Sequence, residues 1–307
     1  MKLYTSLGNL QLKNPIMSAS GTFGHGLEMQ HFVPPASLGA WVSKTVTLLP
    51  RHGNPAPRIR ETEAGFLNSI GLENRGVEAY IEETLPSLEG IDSRVVTNVG
   101  GESPEAFVAI VERLTDFEII DAFEVNLSCP NVDRGRLPFA TDPKVAEGII
   151  SRVRKVTNKP IFAKLSPNVS RIGEMAVAVE AGGADGITAV NTMLGMQVDW
   201  RTGKPGLATL MGGYSGIGVK PVALRCAYEC VQAVSIPVIG CGGISSADDV
   251  LEFLAVGCRA VQVGTASFSD PGLMKDMAQE LITLLDSQGL DSVEDVIGCI
   301  DRQPVQV

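Results

Sequence analysis

The sequence predicts an α/β protein of the (β/α)8 TIM-barrel class, and three observations carry that expectation. Eight short strand-like runs recur along the chain, each followed by a helix-like segment or by a loop that bears one. Every run ends in a polar side chain or a pair of glycines, as barrel strands do where their C-terminal ends form a site. The 307 residues suit one such barrel, which takes about 250 residues, with long loops added. Residues 1–307 are therefore expected to form one domain.

In chain order, residues 3–12 have the pattern of a hairpin turning at Gly8-Asn9, expected to plug the bottom of the barrel. Residues 15–21 form the first strand and close on small side chains. Residues 41–46 form the second and carry Lys44 near the end, where a core position would not hold a charge. Residues 47–75 make a long connection marked by Pro and Gly. Connections of that length in a compact domain are functional or disordered. Phe66-Leu67-Asn68-Ser69-Ile70-Gly71-Leu72 is too apolar for a solvated linker, so the segment is expected to fold over a site. Arg51, His52, Arg58 and Arg60 read as surface or interface charges.

A regular alternation follows. Helix 76–89 leads to strand 95–99. Helix 103–115, opened by Ser103-Pro104-Glu105 with a cap and a first-turn proline, leads to strand 122–128. Helix 143–157 leads to strand 161–165, and helix 171–182 to strand 186–192. Residues 193–218 are a second long, Gly-rich connection. Helix 219–234 leads to strand 237–243. Helix 246–256, capped by Ser245 or Ser246, leads to strand 260–266, and helices 272–288 and 292–300 close the chain. A doubly wound sheet is the competing fold. It wants Gly-x-Gly-x-x-Gly after its first strand, which Gly21-Thr22-Phe23-Gly24 does not supply.

Composition narrows the function. A net charge of -10 argues against a nucleic-acid partner, while a small anion needs only a local positive site. No apolar run is long enough to span a membrane, and the N-terminus lacks a basic-then-apolar signal pattern. The six cysteines form no Cys-x-x-Cys pair and no zinc or disulfide framework. Cys226 and Cys230 share a helix face, where packing is their expected role. A cytoplasmic protein with reduced thiols is the expectation. None of the three histidines has an evident triad partner, so none is assigned a catalytic role.

A barrel gathers the C-terminal strand ends on one face. Here they carry Ser20, Lys44, Asn98, Asn126 with Cys129 and Asn131, Lys164, Asn191 with Thr192, Gly242 with Gly243, and Gly264 with Thr265. Glycine turns after the last two strands expose backbone N–H groups beside helix N-termini, an arrangement that binds phosphate; simple tight turns are the competing account. A flavin mononucleotide held there would lie across the mouth, with Asn98, Asn126 and Lys164 toward its ring and Lys44 also able to attract a substrate carboxylate. The stretch Asn126-Leu127-Ser128-Cys129-Pro130-Asn131 is the centre of this constellation. Its amides can donate and accept beside a thiol able to take a proton, although taken alone Cys129 could be a buried strand-end cysteine.

Asn126-Leu127-Ser128-Cys129-Pro130-Asn131, Ser43-Lys44-Thr45, Asn68-Ser69-Ile70-Gly71-Leu72, Ala163-Lys164-Leu165-Ser166-Pro167, Asn191-Thr192 and Gly240-Cys241-Gly242-Gly243-Ile244 together resemble the class 1 dihydroorotate dehydrogenases, in the family's order and over nearly the whole chain. The cysteine of the central motif marks class 1, since the membrane-associated class 2 carries serine there. Lys44-Thr45-Val46-Thr47, Gly53-Asn54-Pro55-Ala56-Pro57-Arg58-Ile59 and Asn191-Thr192-Met193-Leu194-Gly195-Met196 look like the 1B type. The resemblance implies one FMN per chain and a homodimer core, joined in a heterotetramer by an electron-transfer subunit carrying FAD and [2Fe–2S], with NAD as final acceptor. No four-Cys cluster spacing or dinucleotide fingerprint occurs here.

Carried over by residue, the resemblance implies Cys129 as the base that takes a proton from C5 of dihydroorotate while hydride leaves C6 for the flavin. It implies Lys44, Asn68, Ser69, Ile70, Gly71, Leu72, Asn126, Asn131, Asn191 and Thr192 at the substrate. At FMN it implies Ser20, Lys44, Thr45, Asn98, Asn126, Lys164, Val190, Gly216, Gly242, Gly243, Gly264 and Thr265. Leu49, Glu73 and Tyr214 depart from the common Glu, Gln and Leu of the family. Three alternatives compete: a 1A-type homodimer that reduces fumarate, a flavin-free phosphate-binding barrel acting as isomerase or synthase, and a non-catalytic binding barrel.

Overall fold

The computed structural model describes residues 2–128 and 138–301. Eight parallel strands close into a barrel in sequential order. They are β1 Ile16–Ser18, β2 Ala40–Val42, β3 Arg94–Val99, β4 Ala122–Asn126, β5 Ile161–Leu165, β6 Gly186–Ala189, β7 Val238–Cys241 and β8 Ala260–Val263. The strands are apolar and buried because a parallel barrel covers both faces with side chains or helices. Several are shorter than the sequence pattern suggested: β6 stops at Ala189 rather than 192, and β2 stops at Val42, although Val46 still bridges Val99.

The hairpin Thr5–Leu7 with Leu10–Leu12 sits where expected. Leu7, Leu10 and Leu12 pack with Met17, Ala40, Val42, Val96, Ala122, Phe162, Ile239 and Ala260, side chains of the barrel strands. An apolar plug thus fills the end of the lumen opposite the strand ends.

The outer helices follow the alternation. Pro104–Leu114 is capped by the Ser103 hydroxyl, which accepts from Ala106 N, and Ala247–Ala255 by Ser246. Pro143–Arg154 is capped by Asp142, and Ile172–Ala181, Lys220–Ala233 and Leu273–Ser287 complete the ring. Helix 76–89 is not one regular helix: Gly76–Ala79 and Leu85–Ser87 flank a π-helical turn, Tyr80–Thr84. The helix expected over 292–300 is a single 3-10 turn, Val293–Asp295. Its Ser292/Asp295 capping box starts a helix that does not continue, and Gly298 is left-handed three residues on.

The two long connections depart most from the expected loops. Residues 47–75 and 193–218 are not loops lying separately over the mouth. They supply Ile59–Thr62, Gly65–Asn68, Met193–Met196 and Met211–Ser215 to one four-stranded antiparallel sheet, in which Met211–Ser215 pairs with both Met193–Met196 and Gly65–Asn68. Each connection meets the backbone hydrogen bonds of the other.

Candidate active site

The mouth is built in layers. Above the apolar plug, Asn98, Glu124, Lys164, Thr188 and Gln262 are buried polar residues on β3, β4, β5, β6 and β8. The Glu124 carboxylate, fully buried, accepts from Asn98 Nδ2 at 2.6 Å, Thr188 Oγ1 at 2.8 Å, Lys164 Nζ at 3.4 Å and Gln262 Nε2. Lys164 Nζ also donates to Gln262 Oε1 at 2.9 Å. Burial opposes the Lys164 charge, yet Glu124 holds the ammonium above the ordinary lysine pKa. Glu124 was absent from the expected site residues. Its signal in the sequence was a carboxylate inside an apolar strand, one strand from a lysine, since buried charges come paired.

The next layer holds the expected substrate residues. Asn126, the last residue of β4, and Asn191, beyond β6, are joined: Asn191 Nδ2 lies 3.4 Å from Asn126 Oδ1 and donates to Ser128 Oγ at 2.5 Å, while Ser128 Oγ donates to Asn126 Oδ1 at 2.7 Å. Thr192 N donates to Asn191 Oδ1 at 2.8 Å. Ser20 and Thr45 hydroxyls stand 3.5 Å apart. The Lys44 side chain has no hydrogen-bond or ion-pair partner among the described residues. Burial pushes its ammonium below the ordinary lysine range, with Glu73 opposing and Arg58 reinforcing the effect.

The Asn68-Ser69-Ile70-Gly71-Leu72 segment is pinned from behind. Asn54 N donates to Ile70 O and Asn54 Nδ2 to Ser69 O, Ser69 N donates to Arg58 O, and Arg51 Nε reaches Gly71 O. Gly71 and Leu72 both have positive φ, 77° and 55°. Arg51 pairs with Glu102 and Arg58 with Glu73, so these two arginines brace the segment and are not merely surface charges.

Turns at the other side of the mouth follow β7 and β8, which are neighbours through the Cys241–Gln262 register. Among the described residues, the N–H groups of Gly242, Gly243, Gly264 and Thr265 donate to no acceptor. Gly242 and Gly243 have φ of 126° and 77°, and a Cβ on Gly243 would lie 2.6 Å from Lys220 N, at the start of the Lys220–Ala233 helix. Thr265 Oγ1 donates to Ser215 Oγ at 2.8 Å, bringing Gly216 to the same side. Val190 N donates to Cys241 O at 2.9 Å, which fixes the backbone between the two sides. Cys129 and Asn131 lie outside the described residues.

These residues fit an FMN. Unpaired N–H groups at two adjacent turns beside a helix N-terminus suit its phosphate. Among the described residues, Asn98 Oδ1 is a buried acceptor with no partner, which a donor on the ring would satisfy. Ser69 Oγ, in the segment expected at the substrate, is likewise buried without a partner among the described residues.

A parallel eight-stranded barrel with an anion-binding pair of turns and a polar, sheet-covered mouth defines a class of phosphate-cofactor barrels. The dihydroorotate dehydrogenase family model matches residues 2–285, and the chain belongs to that family of flavin-dependent oxidoreductases. It is 47% identical over 297 residues, 97% of this chain and 95% of the relative, to the dihydroorotate dehydrogenase B (NAD(+)) catalytic subunit of Geobacillus sp. (strain WCH70). It is 47% identical over 296 residues, 96% of each chain, to the protein of the same name from Bacillus pumilus (strain SAFR-032). The crystal structure of the Eimeria tenella enzyme with ferulenol superposes with a TM-score of 0.82 at 20% identity, covering 98% of this chain and 89% of that one, and supports the barrel fold. Among the described residues, no helix is long and apolar enough to cross a membrane.

Proposed function

We propose that the chain oxidises dihydroorotate to orotate in pyrimidine synthesis, with FMN as its flavin and Cys129 as its base. The observation that carries this reading is the opposition, across one mouth, of unpaired backbone N–H groups after β7 and β8 and a ring of amides with the unpartnered Lys44 ammonium. A flavin held by these residues would supply the acceptor for hydride from C6. The chain's own residues do the rest. Gly242, Gly243, Gly264, Thr265 and Gly216 hold the phosphate, with Ser20, Thr45 and Val190 along the remainder of the cofactor. Asn98 and Lys164 meet its ring. Lys44 attracts the substrate carboxylate, and Asn68, Asn126, Asn131, Asn191 and Thr192 pair with its amide edges. Such a site rejects analogues that lack those edges, because its own buried groups would be left unpaired. The four-stranded cover excludes water. Cys129 takes the C5 proton, so turnover rises with pH toward the ordinary thiol pKa of about 8.5.

The relatives' description as catalytic subunits supports a partner. In this reading the partner carries FAD and [2Fe–2S], passes electrons to NAD, and joins a homodimer of this chain in the cytoplasm. The test assays the purified chain with dihydroorotate and NAD, with and without a co-expressed partner, and with fumarate in place of NAD. Orotate formation from dihydroorotate with NAD as acceptor that depends on the partner supports the reading; partner-independent turnover with fumarate contradicts the NAD-linked part of it.

A further inference from the structure

Every group aimed at Glu124 is a donor. Asn98 supplies an amide NH2 from β3, Lys164 an ammonium from β5, Thr188 a hydroxyl from β6 and Gln262 an amide NH2 from β8. A carboxylate is acceptor-only, and no neutral side chain of this size can take all four. By accepting Asn98 Nδ2, Glu124 sets which way that amide faces, and Asn98 Oδ1 is thereby the atom left buried without a partner. By facing Lys164 it supplies the counter-charge to an ammonium side chain 5% exposed. Among the described residues, Cys241 on β7 is the other titratable group facing that ammonium. Burial pushes its thiol up, so near neutral pH it is uncharged.

We propose that Glu124 is a positioning residue for the cofactor end of the site: it keeps Lys164 charged and turns the Asn98 carbonyl oxygen toward the mouth, and acts on the flavin only through those two. The proposal rests on the reading of the mouth as an FMN site. It distinguishes the buried network from simple filling of the lumen, for which an isosteric neutral residue would serve.

Glu124→Gln tests it. Glutamine keeps the shape but turns one acceptor toward a donor and leaves the Lys164 ammonium without its counter-charge, which lowers the pKa of a buried lysine. In the wild type the Lys164 pKa is raised, so its contribution to stability is constant well below the ordinary lysine value and is lost only above it. In Glu124→Gln the sign reverses. The uncompensated charge costs stability at neutral pH, and the deficit against wild type shrinks as pH rises from about 7 to about 9.5 and Lys164 deprotonates. FMN affinity of the full chain, followed by quenching of flavin fluorescence, falls over the same range in Glu124→Gln by about tenfold or more and stays flat in wild type.

Lys164→Met serves as the second background. There, Glu124→Gln adds no pH dependence to either stability or FMN affinity if Glu124 acts through the lysine. If Glu124→Gln alone does not fold, restored folding in the double variant supports the same conclusion. A Glu124→Gln protein with wild-type profiles overturns the proposal, as does a loss that persists undiminished beside Lys164→Met. A wild-type chain that binds no FMN refutes the cofactor reading instead, and the stability profiles still decide the role of Glu124.

Discussion

Asn68 and Gly213 stand 145 positions apart, yet Asn68 Nδ2 donates to the Gly213 carbonyl at 3.2 Å. The bond ties the connection after β2 to the connection after β6. It also brings Asn68 beside Thr192, because a Cβ on Gly213 would fall 2.1 Å from Thr192 Oγ1. Two segments proposed to face the substrate are thus held as one piece over the mouth. Asn68→Ala removes that tie and an amide proposed to face the substrate, together worth about 1–2 kcal/mol. Steady-state kinetics are expected to show KM for dihydroorotate raised about tenfold, with FMN affinity unchanged.

The floor of the same cover depends on Gly216. Its φ is 115°, and a Cβ there would come within 2.4 Å of Gly65 Cα, a backbone atom that cannot swing aside. Gly216→Ala is expected to cost about 1–3 kcal/mol of stability and to weaken FMN binding together with it. Thermal denaturation with and without added FMN checks both; an unchanged melting temperature would contradict the strain.

Lys44 gives the site an alkaline limit. Its ammonium is held below the ordinary lysine value of about 10.4, so the charge proposed to attract the substrate carboxylate is lost earlier than on a free lysine. Loss of the Cys129 proton raises turnover over the lower part of that range. The pH profile of kcat/KM is therefore expected to be bell-shaped, with Cys129 on the rising limb and Lys44 on the falling limb. Glu73 opposes the downward shift and is paired with Arg58. Glu73→Gln removes that opposition and frees the guanidinium, so the falling limb moves to lower pH while the rising limb stays. Movement in the other direction would show that Lys44 is not the group on that limb.

The barrel was legible because its strands are short apolar runs with Lys44, Asn98, Asn126, Lys164 or glycine pairs at or near their ends, and because capped helices separate most of them. The covering sheet was not. Gly65-Phe66-Leu67-Asn68 and Met211-Gly212-Gly213-Tyr214-Ser215 are glycine-rich and lack clean alternation, and their pairing partners lie far away in sequence. The strand-end residues were legible one at a time, since topology alone gathers them. The bond between Asn126 and Asn191 and the hub at Glu124 depend on register between strands, which no single strand encodes. Glu124 in particular lay hidden in Ala122-Phe123-Glu124-Val125, where alternation identifies a strand but not which of its faces lines the lumen.

On the proposed reading, this chain transfers hydride from dihydroorotate to a bound flavin with Cys129 as base. Anaerobic mixing of the FMN-loaded chain with dihydroorotate, followed by stopped-flow absorbance, tests it most directly. The flavin is expected to bleach in step with formation of one orotate per chain, and Cys129→Ala, with FMN still bound, to bleach more slowly by a factor of about 10²–10⁴. A wild-type flavin that stays oxidised while dihydroorotate is bound would contradict the claim.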